Sequence, residues 1–534
     1  MHYAPALLAA LTLVSSALAQ PALRTIDDGT KYGVPNFANQ HSHLQTVDND
    51  GNLWAVMQKA GSTLLVSTDD GLTWTRVARV TTKNNLVRLG MAAGTDCHLL
   101  HLGWEAKDGA TVTSIYYQTF DTATRKWIGT PSIVAVGSTG GNGWKFMDIE
   151  VTPKGAVVLG IQTKAAPPTL RAYTGHLIIK PAGLKAFSPP LPIRPYSGVA
   201  LSMHAIGEVV HMGYRMNVNG WHVAHRAFDT SKLAFVGKEV VVAGKTLDQM
   251  DIVTGKCLAA DDAGNLYIAY GIGDVAPATV GEIKVAFANP PYSVWTRRQV
   301  ATDPNLIARQ AYSHFSLVQS AGAEMTVVYS KFTETYKNIY SRRMIDGAFT
   351  TPETAMITST TSKFSKIAGH RSHAARTGLM AMTQEGSKGI VYLLDGTTSP
   401  TTGRSGHLRY FGYACSGSLA MAPRIQATTV PTASQPLTIV ISQAPKSVAG
   451  LLALGVTCQA PAFNLKVIGA PGCGLFQDLP LILGYSTDAN GVRRFTFPVP
   501  ASVKGFGVRL QSGVVAAGAN AAGLLFTRSL GIFP

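Results

Sequence analysis

Short apolar runs rich in Val, Ile, Tyr and Thr recur along the chain and are broken by Gly, Asp, Asn and Pro. Runs of this length with β-branched and aromatic residues are typical of strands. No long segment with a period of 3.6 residues competes with them. The pattern therefore predicts an all-β protein.

One unit of this pattern repeats: an apolar run, a tight turn and a second apolar run. The clearest copies are VDNDGNLWAV (47–56) and ADDAGNLYIA (260–269), and weaker copies lie between and after them. The turn glycines are Gly51, Gly94, Gly155, Gly207, Gly264, Gly322 and Gly378. Their spacing matches one four-stranded antiparallel unit, and a series of such units predicts a β-propeller.

A second turn follows the first in several units, and its clearest form is the octet STDDGLTW (67–74). An Asp at the start of such a turn can accept hydrogen bonds from backbone N–H groups two and three residues on. Gly71 supplies the positive φ of a tight turn, and Trp74 begins the next strand with a large apolar surface. Weaker versions begin at Asp121, Asp229 and Asn289, each followed by an aromatic residue at Trp127, Phe235 and Trp295. We expect this turn to be a folding device.

The octet resembles the Asp-box of the BNR-repeat, sialidase-like propellers, and the repeats are consistent with six or seven blades of that family. We therefore predict a propeller over residues 20–410. The family includes sialidases, other glycosidases, polysaccharide lyases and proteins with no known activity. The resemblance thus implies a fold and leaves the activity open.

The composition changes after residue 410, where the chain becomes richer in Ala, Leu, Gly and Pro and poor in charge. Residues 411–534 resemble a C-terminal module of large secreted bacterial proteins. The resemblance implies a small β-sandwich-like domain with an accessory, export or surface-retention role, and we expect a bridge between Cys458 and Cys473 within it. The chain has five cysteines, so at least one has no partner within the chain.

The N-terminal segment 1–19 is apolar and ends in Ala17-Leu18-Ala19, which is typical of a cleaved signal peptide. The mature protein is therefore expected to be secreted, and no later segment predicts a membrane span.

Lys and Arg outnumber Asp and Glu by 46 to 30, a formal net charge of +16 that attracts polyanions. Without a basic run interleaved with aromatic residues, nucleic acid is disfavoured. We expect a monomer that binds an anionic polysaccharide or glycan and needs neither cofactor nor metal.

The innermost strand of each propeller blade lines the central channel, so residues near the start of these strands are the candidates for chemistry. Histidine, tyrosine and cationic residues recur at these positions, and two later strands add Tyr and Arg together. The predicted catalytic residues are His41, His43, Tyr214, Arg226 and His314. The predicted substrate-binding residues are Arg88, Lys145, Tyr312 and His370.

These residue types fit an elimination reaction at a uronic acid. A cation neutralises the carboxylate, a histidine removes the adjacent proton, and a tyrosine protonates the departing oxygen. Propeller ulvan-type lyases, which this chain resembles in these residue types, use His, Tyr and Arg for such tasks. Those lyases also carry a second histidine, in a region that reads MQKAGS (57–62) in this chain and contains no histidine.

Two other functions compete with the lyase. Sialidases of the family bind the substrate carboxylate through an arginine in an F/Y-R-I-P motif, whereas this chain has YGVP (32–35) with Gly33 at that place. The prediction is a lyase acting on a uronate-containing or sulfated polysaccharide. The alternatives are a glycoside hydrolase, such as a divergent sialidase, and a non-catalytic glycan-binding or surface interaction protein.

Overall fold

The protein is all-β apart from one 3₁₀ helix at Leu465–Ile468 among the residues that the structure describes. The computed structural model describes residues 22–27, 45–48, 50, 52–57, 63–68, 73–80, 86–94, 98–108, 112–136, 144–164, 173–194, 197–217, 221–243, 249–251, 257–261, 263–273, 281–302, 315–319, 324–331, 334, 337–358, 364–369, 374–376, 380–385, 390–395, 407–411, 414–415, 417–418, 422–428, 436–499 and 507–533.

The strands of the first two thirds of the chain fall into sheets of four or five, called blades here. The chain begins with β1 (Ala22–Asp27). Blade 1 contains β2 (Gln45–Val47), β3 (Leu53–Met57), β4 (Thr63–Ser67) and β5 (Thr75–Arg79). Blade 2 contains β6 (Leu86–Ala93), β7 (Leu99–Asp108), β8 (Val112–Asp121) and β9 (Lys126–Ala135). Blade 3 contains β10 (Trp144–Val151), β11 (Val157–Lys164), β12 (Tyr173–Lys180) and β13 (Leu191–Arg194).

The next three blades continue the same order. Blade 4 contains β14 (Ser197–Ile206), β15 (Val209–Asn217), β16 (Trp221–Asp229) and β17 (Ala234–Ala243). Blade 5 contains β18 (Gln249–Asp251), β19 (Leu258–Ala260), β20 (Leu266–Gly273), β21 (Glu282–Ala288) and β22 (Thr296–Thr302). Blade 6 contains β23 (Phe315–Gln319), β24 (Glu324–Ser330), β25 (Asn338–Ile345), β26 (Ala348–Phe349) and β27 (Thr354–Thr358). The strands that follow are β28 (Phe364–Gly369), β29 (Ala374–Arg376), β30 (Met380–Glu385) and β31 (Ile390–Asp395).

The N-terminal strand closes the ring. In blades 1 to 6 the strands pair antiparallel in chain order from the innermost outward, except that β18 and β19 share the innermost position of blade 5 and β26 and β27 both pair with β25 in blade 6. The seventh sheet has the order β28-β30-β31-β1, and Ala22 of β1 pairs with Asp395 of β31. The described residues therefore form a seven-bladed β-propeller, which confirms the predicted fold class and fixes the number of blades.

The cores of the propeller lie between neighbouring blades. One buried cluster joins blades 1 and 2 through Trp54 and Leu102, and another joins blades 3 and 4 through Val158 and Met203. Neighbouring blades are in close contact where a glycine faces a large side chain: a Cβ on Gly103 of blade 2 would lie 2.5 Å from the Phe146 ring of blade 3. The ring is thus held by apolar faces that each sheet presents to its neighbours.

The turn after the innermost strand has the same geometry in the two clearest copies of the repeat. Asp48 accepts hydrogen bonds from the Asn52 backbone (2.8 Å) and from Trp54 Nε1 (2.7 Å). Asp261 accepts hydrogen bonds from the Asn265 backbone (3.0 Å) and from the Tyr267 hydroxyl (3.0 Å). In each case one carboxylate closes the turn and fixes the first aromatic residue of the second strand.

The turn before the outermost strand also uses an Asp. Asp121 accepts hydrogen bonds from the backbone N–H groups of Ala123 (2.9 Å) and Thr124 (3.1 Å). Asp229 does the same with Ser231 (2.9 Å) and Lys232 (3.1 Å). Residues 69–72 of the octet lie outside the described residues.

The C-terminal strands form a separate layered domain. They are β32 (His407–Phe411), β33 (Arg424–Ala427), β34 (Leu437–Ser442), β35 (Ala449–Gly455), β36 (Cys458–Asn464), β37 (Gly474–Gln477), β38 (Leu481–Ser486), β39 (Arg493–Phe497), β40 (Val508–Val515), β41 (Leu524–Phe526) and β42 (Ser529–Phe533). A large sheet with the order β29-β32-β42-β40-β35-β38 lies against the sheet β33-β34-β39. One buried cluster contains residues of both sheets, including Ile439 and Leu510, as in a β-sandwich. The large sheet also includes β29, which belongs to the chain segment between two strands of blade 7.

The C-terminal domain contacts the propeller at the end where the turns after the innermost strands lie. Arg509 forms an ion pair of 2.7 Å with Asp50, and Asp50 also lies 3.3 Å from Nδ1 of His98. A Cβ on Gly264 would lie 3.5 Å from Arg424, which places a second contact at the equivalent turn of blade 5. One end of the propeller therefore faces the C-terminal domain.

The expected Cys458–Cys473 bridge is wrong. Cys473 is bonded to Cys415, 58 residues earlier in the chain, and Cys458 is in a different disulfide. The reason is the hairpin of β36 and β37, in which Cys458 is opposite Gln477 while Asn464 is opposite Gly474. Cys458 and Cys473 therefore lie at opposite ends of this hairpin. Cys257 is a free, buried cysteine.

The contact between Gly103 and Phe146 generates a stability prediction. Gly103→Ala should lower the free energy of unfolding by about 1–3 kcal/mol, because the added methyl group forces the Phe146 ring and β10 outward. Gly484→Ala is the control, since nothing lies within 4 Å of a Cβ at that position and its cost should stay within about 0.5 kcal/mol. Chemical denaturation of both variants measures the difference. Equal stabilities would mean that the blade interface relaxes without cost.

Candidate functional site

The structure describes four of the nine predicted site residues. His41, His43, Tyr312, His314 and His370 lie outside the described residues. Arg88 and Lys145 are on the innermost strands of blades 2 and 3, as predicted, whereas Tyr214 and Arg226 are on the second and third strands of blade 4.

Arg88 is held by a glutamate that the sequence analysis did not select. Arg88 on β6 and Glu105 on β7 are directly opposite in the register, and Nη1 of Arg88 donates to Oε2 of Glu105 at 2.7 Å. The same carboxylate oxygen accepts a hydrogen bond of 3.0 Å from the backbone N–H of Phe146, which follows Lys145 on β10. Glu105 therefore connects the two strands that carry the predicted cations.

The electrostatics of this cluster depend on burial. Glu105 is only 4% exposed, and this burial raises the pKa of its carboxyl, although the positive charges of Arg88 and Lys145 and the hydrogen bonds oppose the change. Arg88 is buried as well, while Lys145 is half-buried. Two cations thus flank one buried carboxylate at the inner strands of blades 2 and 3, which we call the inner cluster (Arg88, Glu105, Lys145).

Similar bridges join the next pairs of blades near the axis. Oδ2 of Asp148 on β10 accepts a hydrogen bond of 2.7 Å from the Met203 backbone on β14. Ser202 on β14 accepts one of 3.2 Å from the Leu258 backbone on β19. Each polar side chain satisfies a backbone N–H of the following blade, so these groups fix the relative positions of the inner strands.

Tyr214 and Arg226 make contacts on the outer strands. The Tyr214 hydroxyl donates a hydrogen bond to Glu239 on β17, the outermost strand of the same blade. The Arg226 guanidinium lies 3.6 Å from the centre of the Phe235 ring and donates to the carbonyl oxygen of Ile193 on β13 of blade 3. These contacts join the outer strands of two blades.

The same arrangement recurs in blade 6. The Tyr329 hydroxyl donates to Glu353, and Arg342 lies 3.7 Å from the centre of the Phe349 ring while donating to the Val300 carbonyl at 2.8 Å. Val300 is on the outermost strand of blade 5. An arrangement found in two blades, each time directed at the preceding blade, indicates a role in packing. A catalytic role for Tyr214 and Arg226 remains a prediction, and their described contacts are structural.

Several histidines are buried between blades. Nδ1 of His101 lies 2.5 Å from the Tyr117 hydroxyl, and His211 and His225 are 3.0 Å apart at the equivalent positions of blade 4. Burial lowers the pKa of His101 to about 3, helped by the charge of Lys180, and burial also lowers the pKa values of His211 and His225. These imidazoles are therefore neutral packing groups at pH 7.

Neither a metal site nor a membrane span is found in the part of the chain that the structure describes. No group of three or more His, Cys, Asp or Glu is arranged to hold a metal ion there. Over the same ranges, no helix has the length and apolar character needed to cross a membrane.

Comparison with known proteins gives structural similarity alone. No family model matches the chain, and no curated protein matches it. An ulvan lyase from a new family of polysaccharide lyases, bound to -[GlcA(1-4)Rha3S]-, is 11% identical with a TM-score of 0.45, covering 71% of this chain and 94% of that chain. The polysaccharide lyase Uly1 is 10% identical with a TM-score of 0.42, covering 71% and 98%. The Trypanosoma rangeli sialidase in complex with 2,3-difluorosialic acid is 10% identical with a TM-score of 0.38, covering 86% and 92%. Similarities of this size do not assign an activity to the chain.

The outer Tyr and Arg contacts predict matched effects in two blades. Arg226→Met and Arg342→Met should each lower the free energy of unfolding by about 1–3 kcal/mol, because each leaves a carbonyl of the preceding blade without its donor. Thermal and chemical unfolding of the two variants measures the loss. If Arg226→Met keeps full stability but loses ligand binding, the packing role is wrong.

The buried His101 predicts a loss of stability in acid. Its pKa is near 3 in the folded protein and about 6.5 in the unfolded chain, so the unfolded state binds the proton more readily between these values. The stabilisation from neutral His101 is complete above about pH 6.5 and is lost as the pH falls, by about 2 kcal/mol at pH 5. In His101→Gln, the fall in unfolding free energy between pH 7 and pH 5 should be smaller by that amount. An unchanged pH dependence would contradict the assignment.

Proposed function

We propose that this protein is a secreted polysaccharide lyase that cleaves an acidic, uronate-containing or sulfated polysaccharide by β-elimination. The observation that carries the proposal is the inner cluster, where Arg88 and Lys145 flank the buried Glu105 at the innermost strands of neighbouring blades. A polymer of negative charge suits both these cations and the net charge of +16.

The inner cluster would supply the electrostatic part of the reaction. Removal of the proton next to a uronate carboxylate places further negative charge on that group, so a nearby fixed cation stabilises the transition state. Lys145 is half-buried and would contact the carboxylate, while Glu105 would act as a positioning residue that holds Arg88. The base would come from His41, His43 or His314, predicted catalytic residues that the sequence assigns to the starts of the inner strands of blades 1 and 6.

We also propose membership of the BNR/Asp-box, sialidase-like propellers. The support is the turn geometry at Asp121 and Asp229, where one carboxylate oxygen accepts from the N–H groups two and three residues on. The aromatic residue that follows each turn packs on the preceding strand. The ring centres of Trp127 and Phe120 are 5.0 Å apart, and those of Phe235 and Phe228 are 5.3 Å apart. The enzyme would act as a secreted monomer.

A glycoside hydrolase is the second candidate, and the raised pKa of Glu105 favours it. Burial raises the pKa of this carboxyl, and a carboxyl group is the usual general acid of glycoside hydrolases. A non-catalytic binding protein would use the same cations without producing a cleavage product.

The three functions differ in their products, so one experiment separates them. The protein is incubated with polygalacturonate, a sulfated uronate polymer and a sialylated glycan. A lyase produces an unsaturated product that absorbs in the ultraviolet, a hydrolase produces reducing ends without this absorbance, and a binding protein produces neither. Reducing ends without ultraviolet absorbance on every substrate would refute the lyase.

Lys145→Met tests the inner cluster directly. We expect kcat/KM on the acidic polymer to fall by about 100-fold, equivalent to about 2.7 kcal/mol of transition-state stabilisation, with an unchanged melting temperature. Lys238→Met, which removes an exposed charge on the outer strand of blade 4, is the control and should keep full activity. Equal activities of the two variants would exclude a role for Lys145.

A further inference from the structure

Exposed cations recur on the outside of the propeller, at or near the turn that precedes each outermost strand. Blades 1 to 5 each contribute at least one of them. We define the basic rim as Arg76, Lys126, Lys185, Lys232, Arg297 and Arg298, all of which are exposed. Of these six cations, only Lys232 forms an ion pair among the described residues, with Asp229 at 3.2 Å, and its own side chain is 78% exposed.

The described acids of the same region are engaged in hydrogen bonds. The carboxylates of Asp121 and Asp229 accept backbone hydrogen bonds inside their turns, and these bonds keep the pKa of each below its usual value even though burial opposes the effect. Glu239, on the same outer strand as Lys238, accepts a hydrogen bond from the Tyr214 hydroxyl. The turns therefore expose positive charge, while their carboxylates are held in hydrogen bonds within the turn.

Hydrogen bonds join the outer strands of three pairs of neighbouring blades, so the rim residues lie on linked parts of the outer surface. Nε1 of Trp127 in blade 2 donates to the Arg79 carbonyl in blade 1 at 3.1 Å. Arg226 and Arg342 make the corresponding links from blade 4 to blade 3 and from blade 6 to blade 5. Cations of successive blades thus follow one another around the ring.

We propose that the basic rim is a second binding site, separate from the central channel, for a segment of anionic polysaccharide chain. A flexible polymer can follow the outside of a ring and contact several blades in turn. A flat anionic bilayer would need to lie against the same end of the propeller, and the C-terminal domain occupies that end through Arg509 and Arg424. The ligand class rests on the proposed function, whereas the location of the site rests on the rim itself. The site would hold a long substrate on the enzyme while its cleavage point is in the channel.

The attraction is electrostatic and depends on salt. Each exposed cation contributes little alone, but several act together on one chain. The Debye length is about 8 Å at physiological ionic strength, so binding should weaken steeply as salt is added.

The test uses the full-length chain carrying Lys145→Met, so that cleavage does not alter the ligand. The rim variant adds Arg76→Gln, Lys126→Gln, Arg297→Gln and Arg298→Gln. The control variant instead removes four exposed cations of the C-terminal domain, through Lys446→Gln, Lys466→Gln, Arg493→Gln and Arg494→Gln. Binding of heparin and of polygalacturonate is measured by calorimetry at several salt concentrations, and vesicles of phosphatidylglycerol serve as the membrane probe.

We expect the rim variant to bind heparin or polygalacturonate at least about tenfold more weakly, with a shallower salt dependence, and the control variant to bind like the parent. An equal loss in both variants would show that net charge alone drives binding and would overturn the site. Unchanged binding by the rim variant, or binding to vesicles but to neither polysaccharide, would overturn it as well. Failure of the proposed function is distinguishable, because it appears as a missing cleavage product while rim binding persists.

Discussion

The whole propeller depends on the burial of apolar faces between neighbouring blades. A four-stranded sheet with apolar residues on both faces needs a partner on each side, and a ring gives every sheet two partners. Clusters such as that of Val158 and Met203 provide this burial, and the absence of a side chain at Gly103 lets the Phe146 ring approach. Hydrogen bonds then fix the relative positions of neighbouring blades, because Glu105, Asp148 and Ser202 each accept one from a backbone N–H of the following blade. The position of the inner cluster is therefore a consequence of how the blades pack.

The repeat could be predicted from the sequence because each blade is punctuated by the same turn chemistry. Asp48 and Asp261 occupy equivalent turns and make equivalent bonds, so the sequence similarity of their segments reflects one local structure. The closing strand β1 could not be predicted in this way. It pairs with a strand far along the chain, and neither a turn nor a repeat marks it. The predicted disulfide partner of Cys473 was wrong for a related reason. Separation along the chain does not reveal which end of a hairpin a cysteine occupies.

The candidate site shows where residue types alone mislead. Arg88 and Lys145 were correctly assigned to inner strands because they follow the start of an apolar run at the expected place in the repeat. Tyr214 and Arg226 are also of residue types that suit the predicted reaction, yet their described contacts are with the outer strands. Residues that recur at equivalent positions of the repeat can have two different roles. On the first strand of each blade their side chains come together at the axis, whereas on the third strand they repeat a packing contact between blades. Glu105 was missed because a single acid within an apolar second strand has no pattern around it, and only the register with Arg88 reveals its role.

The pairing of the first strand with the last blade also constrains how the protein is made. Ala22 pairs with Asp395, so a growing chain must leave its first strand unpaired until almost the entire propeller has been synthesised. Contacts so distant along the chain carry a large entropic cost of loop closure and slow the final step of folding. During that interval the exposed edges of the first and last blades are open to pairing with other chains. Assembly of this molecule should accordingly be more sensitive to crowding and to chaperones than the stability of the finished ring would suggest.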